Sequence, residues 1–138
     1  MSTTAAQGEL RTPLRSPVDF MLGRGQRVEQ GRMAYLVAGY LTSGPGAAGG
    51  LFAGIAADAV DNSAGEDGSR TAIVLSEGDV VVETSGARQA WVGHTLRGID
   101  SRRVDLAAGR GPVAGVCIRV LSPSRVVMRL AALRSAAA

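Results

Sequence analysis

The chain has 138 residues, enough for one domain and too few for two of ordinary size. Its 15 basic residues are all arginine and face 12 acidic ones, a net charge of +3 that permits an acidic partner without demanding one. A single cysteine, Cys117, excludes an intrachain disulfide and a cysteine-cluster metal site, and no apolar run approaches the roughly 20 residues of a membrane-spanning helix.

Residues 1–25 read as an extended N-terminal arm. Pro13 and Pro17 fix φ and push their predecessors toward extended backbone, so a stable helix is not expected. The segment lacks the continuous apolar stretch of a secretory signal, so it reads as part of a soluble chain made in a cytoplasm. Arg11, Arg15 and Arg24 are spread along it. Between them VDFMLG, Val18 to Gly23, sets Phe20, Met21 and Leu22 on an otherwise polar tail. Two readings stand for this patch: it docks on a partner, or it covers the edge of its own domain.

Residues 26–131 read as a β domain and residues 132–138 as a C-terminal tail. In order come MAYLVAGYL, LFAGIAADAV, TAIVLS, DVVVET, VAGVCIRVL and RVVMRLA, separated by glycine-, serine- and asparagine-rich turns such as SGPGAAGG, DNSAGEDG and TSGARQ. Runs of about five to eight apolar residues are strand-sized. LFAGIAADAV also suits a helix, and Arg88 to Val92 suits a single helical turn. The last residues, ALRSAAA, fit a final coil or a frayed end. The expected fold is mostly β: a single small antiparallel β-barrel or β-sandwich with an extended N-terminal arm and little helix.

Four motifs bear on chemistry. Gly44, Gly46 and Gly49 satisfy G-x-G-x-x-G, but a phosphate site needs a helix N-terminus behind the turn, and the following run holds Gly54 and no capping side chain. DNSAGEDG, Asp61 to Gly68, clusters acids, yet ligand spacing fails: counted from Asp61, positions that should ligate calcium hold Ser63, Gly65 and Ala72. It reads as a turn closed by side-chain to backbone bonds. His94 and Cys117 form no evident nucleophile–base pair, Cys117 lying in an apolar run. The aromatics Phe20, Tyr35, Tyr40, Phe52 and Trp91 do not interleave with arginines as a base-stacking groove would require. No catalytic residue, metal or cofactor is expected.

From Leu51 onward, the order LFAGIAADAVDNSAGEDG, then TAIVLSEGDVVVET, then QAWVGHTLRGIDSRRV, GVCIRV and VVMRL resembles the small capsid decoration, or cement, proteins of tailed bacteriophages. The likeness covers roughly residues 30–130; its most specific part is the loop from Asp61 to Gly68. Trp91 stands where that pattern has an acid, and Arg97–Gly98 where it commonly has a tyrosine or valine with alanine. The resemblance makes LFAGIAA a strand. It implies a non-enzymatic structural protein on the exterior of the virion capsid, made in the host bacterial cytoplasm. Its partner would be the major capsid protein, whose subunits it bridges as a homotrimer, without direct contact to nucleic acid or membrane. Candidate partner-binding residues are Arg11, Arg15, Phe20, Met21, Leu22, Arg24 and Trp91. Deleting residues 1–25 is expected to abolish capsid binding and leave the fold intact. The alternative is a small basic β-barrel that binds nucleic acid; a third reading is an enzyme subunit using the glycine-rich loop.

Overall fold

The glycine-punctuated apolar runs become strands in the computed structural model, which describes residues 12–46, 50–106 and 111–133. The strands are β1 (Arg15–Met21), β2 (Arg27–Val28), β3 (Met33–Val37), β4 (Tyr40–Thr42), β5 (Leu51–Ala56), β6 (Val60–Asp61), β7 (Thr71–Glu77), β8 (Asp79–Glu83), β9 (Thr95–Gly98), β10 (Val104–Asp105), β11 (Val113–Ser122) and β12 (Arg125–Leu130). One 3-10 turn, Gln89–Trp91, is the only helical element among the described residues.

Two five-stranded sheets and a two-stranded ribbon result. The first sheet has the order β1-β7-β5-β3-β4, the second β10-β9-β11-β12-β8, and β2 pairs with β6. All named pairings are antiparallel. The chain completes the first sheet at Glu77 and starts the second at Asp79, so Gly78 alone carries it across. Each sheet curls until its outer strands touch through one parallel bridge, Leu22 with Leu41 in the first and Glu83 with Arg103 in the second. A two-layer β architecture with curled sheets therefore stands, as the composition implied.

Two apolar clusters follow from this geometry. A small one fills the concave side of the first sheet, where Leu22, Ala34, Leu41, Ala53, Ala72 and Val74 meet. The larger one lies between the sheets: Met33, Tyr35, Phe52 and Ile55 of the first meet Leu96, Cys117 and Met128 of the second and Trp91 of the 3-10 turn. Tyr35 and Phe52 pack edge to face with ring centroids 5.8 Å apart, and the Tyr35 hydroxyl donates to the Asp100 carbonyl at 2.8 Å. Burial pushes that phenol well above its ordinary range.

β5 explains the ambiguity of LFAGIAADAV. It is covered on both faces, Ala53 and Ala56 by the small cluster, Phe52 and Ile55 by the large one. A strand buried on both sides reads as a continuous apolar run, which by itself does not distinguish strand from buried helix. A bulge at Ala53, where Ala34 pairs with Gly54 but Tyr35 with Phe52, turns the side chains between clusters.

The β3–β4 hairpin turns on Ala38 and Gly39, with φ of +53° and +86°. Two positive φ values mark the turn that suits a twisted two-residue hairpin, in which asparagine and glycine are favoured. Ala38 therefore sits in a left-handed conformation at a cost of about 1 kcal/mol. Ala38→Asn is expected to stabilise the protein by about 0.5–1 kcal/mol, read as a higher urea midpoint at unchanged slope. A lower midpoint would contradict this geometry.

Candidate interaction surface

β1 shows strict alternation. Val18 and Phe20 lean on the small cluster and Leu22, just beyond the strand, is fully buried in it, whereas Arg15, Pro17, Asp19 and Met21 face outward. The register places those outward residues opposite Glu77, Leu75, Ile73 and Thr71 of β7. Arg15 Nε lies 3.2 Å from Glu77 Oε1. Met21 and Ile73 are 49% and 38% exposed.

Backbone bonds show which side of β1 is open. The Leu22 N–H donates to Arg70 O and Leu22 O accepts from Gly68 N–H, while the next residue, Gly23, donates to Leu41 O on the opposite side. Even-numbered residues thus address β7 and odd-numbered ones the opposite edge, which β4 meets only at its far end, at Leu22 and Gly23. Pro17 falls on the free part of that edge, where its missing N–H costs no ladder bond.

The segment expected as an arm is extended, but from Arg15 it forms an edge strand of the molecule's own sheet. The covering role, one of the two readings of VDFMLG, falls to Val18, Phe20 and Leu22, while Met21 faces outward. Deleting residues 1–25 would remove a strand and the core residue Leu22, so the expectation that such a truncation leaves the fold intact is corrected. Arg11 lies outside the described residues.

A clamp holds the start of this strand. Thr12 O accepts from the Asp79 N–H at 2.9 Å, and the Thr12 N–H donates to Asp79 Oδ2 at 2.8 Å. The Arg129 guanidinium grips the same carboxylate in a fork, Nε to Oδ1 at 2.8 Å and Nη2 to Oδ2 at 3.0 Å. Arg129, assisted by the Thr12 N–H, holds the Asp79 carboxyl below the usual carboxylate range against the cost of burial. Pro13 and Leu14 cross directly over Gly78, whose φ is +121°; a Cβ there would stand 2.5 Å from Pro13 O and 2.8 Å from Leu14 Cα. Glycine is what lets the terminal segment lie across the junction of the two sheets.

The loop from Asp61 to Gly68 fastens the other end of the same segment. Asn62 is 2% exposed, and its Nδ2 donates to the carbonyls of Gly23 and Glu66, both at 3.0 Å. Its own N–H donates to Gln26 O, and Gly25 N–H to Gly65 O. A Cβ on Gly65 would collide with Asn62 Oδ1. Arg24 donates its N–H to Asp67 Oδ1 at 2.7 Å and pairs with Glu66. The Ser63 hydroxyl, together with the Ser63 N–H that donates to Asp61 Oδ1, lowers the Asp61 pKa. The acids and amide of this loop therefore organise backbone.

Of the candidate residues, Arg15, Phe20, Met21, Leu22 and Arg24 cluster on β1 and its exit. Among them Met21 alone presents a large exposed apolar side chain; Leu22 is buried, Phe20 half-buried, and Arg15 and Arg24 are ion-paired. Trp91 is corrected: it is 7% exposed, anchored in the large cluster by the 3-10 turn, and offers no surface to a partner. Sequence reading missed Asp19 and Ile73, although the period-two pattern of RSPVDFM carried the signal.

The arginines are interleaved with acids. Besides the pairs above, Arg32 lies near Glu29 and Arg103 pairs with Asp100. The sheet register sets Arg27 opposite Asp61, Arg97 opposite Asp105 and Arg125 opposite Glu83. Opposite charges facing across strands stabilise a sheet and reduce the field it offers to an anion. Gly44 and Gly46 open onto β5, a strand, and Gly49 lies outside the described residues. A phosphate-cradling helix terminus does not follow the motif. His94 is exposed, and Cys117 is buried with its thiol pushed up by desolvation. Among the described residues, no three His, Cys, Asp or Glu side chains gather as metal ligands, and no helix is long and apolar enough to cross a membrane. Compared with known protein families, curated proteins and solved structures, the chain matches none.

Proposed function

We propose that this chain is a non-enzymatic structural protein that decorates the outside of a tailed-phage head, as a homotrimer bridging major capsid protein subunits. The resemblance of roughly residues 30–130 to cement proteins suggests the role. One structural observation supports it most: large apolar side chains reach the surface in both halves of the molecule. Met21 and Ile73 do so on the first sheet; Val92, Ile99 and Leu121 do so in the half built on the second. Bridging requires more than one adhesive face, and exposed apolar residues on a rigid β body supply contact area without any moving part. Stable contacts bury about 1,200–2,000 Å² in total, which a trimer can distribute over several sites.

The terminal segment suits load transfer. β1 is zipped along β7, and its start is clamped by Asp79, so whatever residues 1–11 hold is coupled to the core. Removing residues 1–11 spares the strand and the clamp; it is expected to weaken binding to heads at least about tenfold while the melting temperature stays unchanged. The decisive experiment images purified heads with and without the protein. Density outside the shell and heads that withstand higher temperature are expected; heads that bind none of it refute the proposal. Salt-titrated binding to single-stranded DNA tests the nucleic-acid alternative, since phosphate contacts give an affinity that falls steeply with salt.

A further inference from the structure

Two exposed patches on opposite sheets carry complementary chemistry. On the β1–β7 face, Pro17, Leu75, Ile73 and Met21 form an apolar stripe, with Asp19 directly opposite Ile73 and between Pro17 and Met21 on its own strand. Asp19 is exposed and has no ion-pair partner among the described residues. A single carboxylate in an apolar stripe is discouraged from meeting another apolar surface unless that surface brings a cation.

The second patch brings one. Arg119 and Leu121 alternate with the inward Val120 on the outer side of β11, and Leu121 is 41% exposed. Arg119 likewise has no ion-pair partner among the described residues, in contrast to the arginines facing acids elsewhere on that sheet. It stands opposite Val127, which is outward on β12 yet only 1% exposed, as expected where long side chains lay their stems over it. The segment from Ala87 to Gly93 runs beside β11, tied to Pro123 O at one end and Cys117 O at the other, and adds Val92, 38% exposed.

We infer that the occupant of the β1–β7 stripe is a second copy of this chain, presenting its β11 patch so that Arg119 of one copy meets Asp19 of the next. Charge complementarity favours this pairing: the β1–β7 stripe carries the acid Asp19, whereas the β11 patch is basic, with Arg119 and, on the adjoining segment, the exposed Arg88, neither with an ion-pair partner among the described residues. Two different surfaces make the contact heterologous, head to tail, so it closes into a ring when the rotation per copy permits. It deepens the homotrimer part of the proposed function and stands apart from capsid binding, because it is measured on the isolated protein.

Charge exchange tests it. Asp19→Arg and Arg119→Glu are surface changes, and circular dichroism with thermal melting verifies that each variant folds. Sedimentation equilibrium of the wild type is expected to show concentration-dependent association. Each single variant places like charges together and is expected to weaken it at least about tenfold. The double variant, Asp19→Arg with Arg119→Glu, is expected to associate again. A wild type that stays monomeric at high concentration overturns the inference, as do single variants that associate like the wild type or a double variant that does not recover. None of these results depends on heads being decorated.

Discussion

Asn62→Ala is expected to cost the fold about 3 kcal/mol, the largest effect of any polar substitution here. The amide sits 2% exposed and gives both Nδ2 hydrogens to main-chain carbonyls, those of Gly23 and Glu66. Alanine leaves two acceptors without donors, the Gly23 carbonyl buried and the Glu66 carbonyl part-buried; a buried unpaired acceptor costs about 1–3 kcal/mol, and a part-buried one less. Asn62→Asp is the sharper control. Aspartate has nearly the same shape but, ionised, only accepts, so it would set a carboxylate against two carbonyl oxygens and is expected to be at least as damaging. Urea denaturation of both variants measures this. Either variant within about 0.5 kcal/mol of the wild type would show that the loop is held by something else.

Asp79→Ala is expected to remove about 2 kcal/mol at neutral pH. The loss combines the Thr12 N–H acceptor with the Arg129 fork, discounted because the Arg129 side chain is 57% exposed and solvent takes up part of its charge. The same substitution should loosen the entry to β1, seen as faster amide exchange at Leu14 and Ser16 than at the core strands. The pH dependence has a definite sign. Asp79 has a folded-state pKa below its unfolded value of roughly 3.9, so its contribution is complete above about pH 4 and fades as pH falls through the folded value. The gap between wild type and variant should therefore be constant through neutral pH and close in strong acid. A gap that persists unchanged into strong acid would remove the ionised carboxylate from the account.

These two sites act on the same piece of chain. Asn62 fixes the exit of β1 at Gly23 and Asp79 fixes its entry at Thr12, so the outward face carrying Asp19 and Met21 is held at both ends. A contact surface on an edge strand is useful only if the strand does not peel, and the free edge is guarded from indiscriminate pairing by Pro17.

Much of this was legible in the residues. Short valine- and isoleucine-rich runs between glycine turns specified strands, because β-branched side chains pack on a pleated surface and glycine supplies the positive φ of tight turns. Asn, Asp, Ser and Gly from Asp61 to Gly68 specified a loop that satisfies its own backbone. Even the two faces of RSPVDFM were written in its period of two. What no local pattern contained was the partner of each face. Whether LFAGIAADAV was strand or helix depended on both its sides being covered, and whether Leu22 and Trp91 were anchors or core depended on strands dozens of residues away. Pairing of Asp79 with Arg129, or the want of an ion-pair partner for Asp19 and Arg119 among the described residues, likewise arises only once sheets curl and set register. Sequence determines the conformation each segment prefers, since that is governed by nearby atoms; tertiary structure alone decides which surfaces are used up inside and which remain to bind, because burial belongs to pairs of segments and not to either one.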